Sequence, residues 1–438
     1  MSTNLEKIET LKRIIKLLHE GKSVQELKEQ YSDLLRQVSP IEIPFLEQQL
    51  VREGLVTVND ILKLCDLHVE LFRESLETRT LQGVPSGHPL DLLMKENDWI
   101  AKRAEILGMY ASSLLAADQA RAPGLLENIN RILGDLKKLR LHYRKLQMIV
   151  FPYLERRGII AVPRVFWGRE DQAIRKLREL STEIDSMLKS KEAIDYKNVA
   201  GRLLELSREI QDLAFREAKI LFPALWALLG EGEWVAIHEI AGEFGYIVDV
   251  DIHAWKPNVE PVLPYQIKPI ITDEQLARVP EEFRQVVAEK LVPDDYQVNR
   301  DGDLNLSTGF LDKVELEGIF KALPLEITFA DTNRRVRFFT KSETAEGFPR
   351  AKTIIGRRLE FCHPPRLENY VKLNVEILER GQEKYRVFWT RLGDRILRVI
   401  VSRVNDSNGQ LVGILEIVED FTEILNNRDE ILKKVVVL

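Results

Sequence analysis

Apolar residues in the first 80 positions recur at the spacing of an amphipathic helix, beginning with Leu5, Ile8, Leu11, Ile15 and Leu18. Gly21 follows at a position typical of a helix end. Ser23 and Ser39 each stand three residues before a glutamate, a pattern that predicts two further helix starts. The first 80 residues therefore predict a helical N-terminal domain, 1–80.

Longer helical stretches follow, near 90–120, 122–152, 170–191 and 195–229. Helix-breaking residues separate them at Gly87-His88-Pro89, Phe151-Pro152, Gly158 and Phe222-Pro223. This plan predicts a four-helix bundle over 85–245. The proline-rich stretch 246–305 is interpreted as a linker with a little local structure.

The pattern changes to a period of two beyond residue 306. Alternating or continuous apolar runs predict strands within 325–340, 385–404 and 411–420. Helical spacing predicts helices at 310–322 and 366–380. We expect an antiparallel sheet with flanking helices over 306–425 and a C-terminal helix over 426–438, so the fold class is multidomain, α and α+β.

Composition narrows the classes of function. The chain has 438 residues, enough for about three domains. Its 63 basic and 69 acidic residues are intermixed, and the net charge of −6 provides no basic surface for nucleic acid. No stretch approaches the roughly 18 apolar residues of a membrane helix, and the start lacks a signal-peptide core. We therefore expect a cytoplasmic protein without nucleic-acid or membrane partners.

Reactive motifs are few. Cys65 and Cys362 lie far apart, so we expect two reduced thiols rather than a disulfide. The sequence contains no phosphate-binding loop, dinucleotide-binding glycine motif, serine-hydrolase elbow or zinc-protease motif. The expectation is a protein that is not an enzyme.

Short motifs in all three regions carry a family resemblance. They are Val38–Glu42, Leu64–His68, Gly87–Leu90, Phe151–Glu155, Ile220–Pro223, Cys362–Pro365 and Glu419–Thr422. The chain resembles the prokaryotic domain-of-unknown-function 438 family. In that family, a helical N-terminal domain precedes a hemerythrin-like (HHE cation-binding) four-helix bundle and a PAS domain.

The resemblance implies a di-iron centre in the bundle. In the family, each of two helices carries a His five residues before a Glu, which lies five before the Pro of a Phe-Pro pair. The four corresponding positions here hold His142, Gln147, Leu213 and Ala218. A further expected His, shortly after a turn at Val165–Gly168, is replaced by Glu170. Too few donors remain, so we do not expect di-iron.

Two interpretations of the remaining donors stay open. His88, His142 and Glu170, with Glu96, form a remnant site for one divalent ion, or the two histidines are hydrogen-bonded core residues. Apolar residues at Leu213 and Ala218 favour the second, because they avoid burying carboxylates that no cation balances.

In the PAS-type region, the resemblance implies a small cavity for a ligand that remains unknown, with heme and flavin as candidates. The candidate ligand-binding residues are Cys362, His363, Trp389 and Arg398. His363 is a candidate heme ligand, or it stabilises a turn beside Pro364 and Pro365. Cys362 is either a redox-responsive thiol or an inert one. In the alternative to ligand binding, Arg398 forms an ordinary cross-strand ion pair and Trp389 is a core residue.

After Asp420, the residues Ile424, Ile431 and Leu438 recur at a spacing of seven over about two heptads, too few for a coiled coil. We therefore expect a separate protein partner or a homodimer formed through the PAS flank. Three functions follow from these observations: a non-catalytic sensory or regulatory protein whose PAS domain binds a small ligand, an iron- or oxygen-binding protein with a reduced metal site, and a ligand-free adaptor.

Overall fold

The chain divides into two compact units, Met1–Gln297 and Val298–Leu438. The computed structural model describes residues 2–38, 42–77, 81–118, 120–189, 196–268, 270–278, 292–342 and 348–436. None of the described helices is both long and apolar enough to cross a lipid bilayer.

The first unit begins with α1 (Ser2–His19), α2 (Val24–Leu35), α3 (Glu42–Arg52) and α4 (Val58–Glu77). Gly21 follows α1 with a φ of +96°, which confirms the predicted helix end. The Ser23 hydroxyl accepts a hydrogen bond from the Glu26 amide at 3.2 Å, which confirms the predicted start of α2. The start predicted at Ser39 lies outside the described residues.

The bundle and the segment after it contain α5 (Pro89–Leu115), α6 (Ala122–Leu136), α7 (Leu139–Lys145), α8 (Phe151–Arg156), α9 (Ala161–Lys189), α10 (Tyr196–Arg216), α11 (Phe222–Leu228), α12 (Glu231–Phe244) and α13 (Asp273–Arg278). Helix α5 packs against α6 and α10, and α9 packs against the same two helices. This arrangement matches the predicted four-helix bundle. Helix α12, within the predicted bundle region, was not predicted.

The third bundle helix starts earlier than its sequence pattern indicated. Helix α9 begins at Ala161 rather than near residue 170, and the predicted turn at Val165–Gly168 lies inside it. Pro163 is its third residue, where the backbone N–H would have no partner within the helix. The proline therefore costs no hydrogen bond, and the predicted turn is wrong.

The two Phe-Pro pairs do not break their helices. Pro152 and Pro223 are the second residues of α8 and α11, which directly follow π-helical turns at Leu146–Val150 and Glu217–Leu221. A proline at the start of a new α-helical segment lacks only an N–H that has no partner there. The breaks predicted at these pairs are therefore wrong, whereas Gly87 and Gly158 have positive φ and do separate helices.

A single hydrophobic core joins the N-terminal helices to the bundle. Helices α3 and α4 pack against α9. Ile8 and Phe72 belong to the same group of buried side chains as Leu107 and Leu203 of the bundle. The four N-terminal helices are thus packed on the surface of the bundle in this unit.

The second unit contains β1 (Leu304–Leu306), β2 (Gly309–Leu311), α14 (Lys313–Ala322), β3 (Glu326–Asp331), β4 (Val336–Phe339), α15 (Pro365–Glu379), β5 (Tyr385–Leu392), β6 (Arg395–Asn405), β7 (Leu411–Asp420), α16 (Thr422–Asn426) and α17 (Arg428–Lys433). Strands β3 to β7 form an antiparallel sheet in the order β4-β3-β7-β6-β5. The predicted sheet is confirmed.

The helix predicted at 310–322 begins later, because its first residues pair in β2 and Asp312 caps α14 by accepting from the Glu315 amide at 2.7 Å. The helix predicted at 366–380 agrees with α15 within one residue. Helix α15 packs against β6 and β7.

Candidate functional site

The bundle encloses a network of ionisable side chains centred on His142. The His142 ring, on α7, is fully buried between Glu96 of α5 and Glu217, the first residue of the second π-helical turn. Its Nδ1 lies 2.7 Å from Glu96 Oε2 and its Nε2 lies 2.8 Å from Glu217 Oε2. Burial alone would lower the pKa of His142, but the charge of Glu217 and hydrogen bonds to both carboxylates raise it to about 9. Both ring nitrogens therefore donate, and the ring is an imidazolium at neutral pH.

Lys145 supplies a second buried cation. It lies three residues after His142, on the same face of α7. Its Nζ donates to Glu96 Oε1 at 2.5 Å and to the Gly245 carbonyl at 2.8 Å. The Ile247 amide also donates to Glu96 Oε1, at 2.9 Å. Burial would raise the pKa of Glu96, but the hydrogen bond and charge of His142 and the charge of Lys145 lower it, so this carboxylate stays ionised.

Glu170 is a third buried carboxyl group, on α9. Its Oε2 accepts from Gln147 Nε2 at 2.6 Å. Burial, and then the charge of Glu217, raise the pKa of Glu170 well above its usual range, which favours the protonated side chain. Two cations, His142 and Lys145, thus balance two carboxylates, Glu96 and Glu217.

Three polar atoms of this region have no hydrogen-bond partner within the described part of the chain. They are Glu170 Oε1, Glu217 Oε1 and the Tyr143 hydroxyl oxygen. Burial raises the pKa of Tyr143, and the proximity of Glu217 and of Glu170 raises it further. The network is balanced in charge but is not saturated in hydrogen bonds.

His88 does not join His142 and Glu170, contrary to the remnant site considered from the sequence. It precedes Glu96 by eight residues, about 12 Å along α5. Its Nδ1 accepts from the Leu90 amide at 3.1 Å and caps the helix. Its ring packs against Trp226, Trp234 and Trp255, at centroid distances of 4.7–5.2 Å.

Two members of the network, Lys145 and Glu217, were not predicted from the sequence. Lys145 stands at helical spacing from His142, which could have indicated it. Glu217 immediately precedes Ala218, the position that the resemblance indicates for a carboxylate. A π-helical turn departs from the 3.6-residue period, so sequence spacing could not determine which of the two faces His142.

The donor set of this network does not fit a pair of iron ions. Such a pair requires several imidazole and carboxylate donors. Here the one imidazole has both nitrogens hydrogen-bonded to carboxylates, and an ammonium group is bonded to Glu96. Within the described ranges, the one set of three His, Cys, Asp or Glu side chains with mutually close donor atoms is Asp303, Asp312 and Glu315, in the second unit. Arg300 pairs with two of these three.

The second unit contains a cavity of about 330 Å³ between the sheet and α15. Its apolar lining consists of Phe348, Leu359, Leu367, Val371, Val375, Phe388, Trp389, Val399, Val401 and Ile414. Its polar lining consists of Thr328, His363, Tyr370, Asn374, Thr390 and Glu416. The lining contains no lysine or arginine among the residues that the structure describes.

Two of the four predicted ligand-binding residues, His363 and Trp389, line this cavity. The Nδ1 atom of His363 lies 3.1 Å from the Leu359 carbonyl oxygen. Because a carbonyl oxygen can only accept, Nδ1 is the donor of this hydrogen bond. In the tautomer with this hydrogen bond, the Nε2 atom carries the lone pair of the ring.

Cys362 and Arg398 are not part of the described lining. Cys362 is exposed and forms no disulfide, and its thiol donates a hydrogen bond to the Arg358 carbonyl at 3.6 Å. Desolvation raises the pKa of this thiol, so it stays protonated. Arg398 pairs with Glu419 across β6 and β7 at 2.6 Å and lies over the Phe421 ring.

Replacing Lys145 with Met should lower the free energy of unfolding by about 3–5 kcal/mol, because it leaves Glu96 as a buried anion without its ammonium partner. Lys137→Met, at an exposed position after α6, should change it by less than about 0.5 kcal/mol. Urea unfolding followed by far-UV circular dichroism measures both. Equal effects of the two substitutions would show that the network does not stabilise the fold.

The free energy of unfolding should fall as the pH rises from 7 to 9. His142 has a pKa of about 9 in the folded protein, above its value of about 6.5 in the unfolded chain, so its contribution is complete below pH 6.5 and is lost through pH 9. One retained proton gives a slope of at most about 1.4 kcal/mol per pH unit. His142→Gln should show a shallower decline in urea titrations at each pH. The same slope in both proteins would contradict an imidazolium at this position.

Comparisons with known proteins agree with the order of the regions. A Family of unknown function (DUF438) model matches residues 11–78, a Hemerythrin HHE cation binding domain model matches 88–225, and a PAS domain model matches 316–422. No curated protein matches the chain. The solved C-terminal domain of a Streptococcus mutans protein is 27% identical over 29% of this chain and 98% of that one, with a TM-score of 0.27. The resemblance predicted from the sequence is confirmed: the chain combines a DUF438 region, a hemerythrin HHE domain and a PAS domain.

Proposed function

We propose that this protein is a non-catalytic sensory or regulatory protein whose PAS domain binds a small, largely apolar molecule and whose hemerythrin-like bundle no longer holds iron. Hemerythrin and PAS domains support a sensory or regulatory role in general. The cavity beneath α15 is the observation that carries the finer proposal.

The size and lining of this cavity favour an uncharged ligand. Its volume of about 330 Å³ falls within the range of small-molecule sites. Thr328 and Glu416 are both hydrogen-bonded to Arg350, at 2.8 and 2.9 Å. His363 also lines the cavity, and its Nδ1 is already bonded to the Leu359 carbonyl. Its Nε2 atom is therefore suited to orient a ligand by accepting a hydrogen bond or by binding a heme iron.

Contacts at the edge of the cavity offer a route for a signal. Trp389 lines the cavity and packs against Phe421, with ring centroids 5.2 Å apart. Phe421 stands between β7 and α16, and the Asp420 carboxylate accepts from the Thr422 amide at 2.9 Å. A ligand that moves Trp389 would therefore act on the start of α16. Exposed Leu425 and Leu432 would give α16 and α17 a surface for the expected protein partner or second copy.

The charge balance of the bundle supports the loss of iron. His142 and Lys145 occupy the carboxylates that a metal would need, and burial raises the pKa of Glu170. A metal ion would have to displace Lys145 and release protons from His142 and Glu170. The protonated His142 also lacks a lone pair with which to act as a general base, which supports a non-catalytic role.

Val401→Phe should abolish or weaken binding of a molecule in the PAS cavity, because the larger side chain fills space lined by Val401 on β6. Val387→Phe is the matched control, since Val387 lies on the paired strand β5, 42% exposed and outside the lining. Native mass spectrometry and absorbance of the purified full-length proteins measure co-purified ligand, and fluorescence of the uncharged dye Nile red measures occupancy of the cavity.

We expect wild type and Val387→Phe to bind the ligand or the dye, and we expect Val401→Phe to lose this binding. Equal dye binding by all three proteins, without a co-purified molecule, would contradict ligand binding in this cavity and support a ligand-free adaptor.

The free energy of unfolding should be the same after anaerobic incubation with Fe²⁺ as after treatment with EDTA, and metal analysis should find far less than one iron per chain. An ion bound only by the folded protein at about 100 times its dissociation constant would stabilise it by about 2.7 kcal/mol. Stoichiometric iron with that stabilisation would support the alternative of an iron- or oxygen-binding protein with a reduced site.

A further inference from the structure

A cleft lined by tryptophans lies in the helical unit, apart from the His142 network. It has a volume of about 670 Å³ and is lined by Trp226 of α11, Trp234 of α12 and Trp255 from the segment after α12. The carboxylate residues Glu231 and Glu274 also line it, and none of its described lining residues is a lysine or an arginine. The combination of indole rings and acidic groups is the environment that attracts an organic cation.

Close backbone packing fixes the walls of the cleft. Gly87 has a φ of +78°, and a Cβ at this position would lie 2.8 Å from the Trp255 backbone nitrogen. A Cβ at Gly232 would lie 2.9 Å from the Glu260 carbonyl oxygen. The Val262 amide donates to the Gly232 carbonyl at 2.9 Å. These two glycines let the segment 254–262 approach α5 and α12, so the position of Trp255 is set before any ligand binds.

His88 holds the three indoles together without adding positive charge. Its ring contacts all three at centroid distances of 4.7–5.2 Å. Burial, and then the nearby His238, lower the pKa of His88 to about 4. The ring is therefore neutral at pH 7, and the acidic residues determine the charge of the cleft.

Glu231 is the carboxylate best placed to recognise a cation. It is the first residue of α12 and is exposed. Its neighbour Glu233 already caps the helix by accepting from the Gly230 amide at 2.9 Å, and pairs with Arg157 at 2.6 Å. The side chain of Glu231 makes no hydrogen bond or ion pair with any residue that the structure describes, which leaves its charge available at the cleft.

We propose that this cleft binds an organic cation of the alkylammonium or quaternary ammonium class. Tryptophan is the aromatic side chain that attracts cations best, and a methylated ammonium group is weakly hydrated compared with a metal ion. A hard metal ion instead requires several oxygen ligands, and indole rings do not provide them. This site does not depend on the ligand of the PAS cavity.

Isothermal titration calorimetry of the full-length protein with choline, and with its uncharged analogue 3,3-dimethyl-1-butanol, tests the proposal. The two molecules have the same shape and differ in charge. Choline should bind in the millimolar range or tighter, and the alcohol at least about threefold more weakly. Equal affinity for the two molecules, or no choline binding at millimolar concentration, would overturn the proposal.

Two variants locate the site. Trp226→Leu should weaken choline binding by at least about threefold. Glu231→Gln should weaken it about two- to fivefold and reduce its dependence on salt. Because Glu231 is exposed, its variant tests the charge even if Trp226→Leu fails to fold. Trp167→Leu and Glu105→Gln, at exposed positions outside the cleft, are the controls and should bind as wild type does. Choline binding that neither cleft variant weakens would place the cation elsewhere and overturn the proposal.

Discussion

The carboxylate of Glu96 is fully buried, and it stays ionised because three donors from different parts of the chain converge on it. These are His142 and Lys145 on α7, and the Ile247 amide after α12. A buried charge without such partners costs several kcal/mol. The interaction therefore connects α5, α7 and the segment that follows α12, and the arrangement of these elements depends on it.

The same requirement for charge balance applies to the other carboxyl groups of the bundle. A metal ion supplies positive charge to buried carboxylates, and here an imidazolium and an ammonium supply it. Burial and the charge of Glu217 raise the pKa of Glu170, which favours its uncharged form. The buried carboxylates of this bundle are thus bonded to cationic side chains of the chain itself.

In the PAS-type unit, charged side chains at the sheet form ion pairs with each other. Arginines at its sheet are matched to glutamates, as Arg398 is to Glu419 and Arg350 to Glu416, and the described lining of the cavity is mostly apolar. Pairing these charges leaves the cavity suited to an uncharged molecule. The tryptophan cleft of the helical unit has the opposite character, since Glu231 and Glu274 line it and none of its described lining residues is a lysine or an arginine.

The sequence by itself determined the three regions, the bundle and the antiparallel sheet, because helical and strand periodicities are local properties of the chain. It also placed His142 and Glu170 in the bundle, and His363 and Trp389 in the PAS region. Only the tertiary structure decided that Lys145 and Glu217 complete the network, that His88 lies among tryptophans, and that Arg398 is paired. These outcomes depend on contacts between residues distant in sequence and on π-helical turns, which local spacing does not encode.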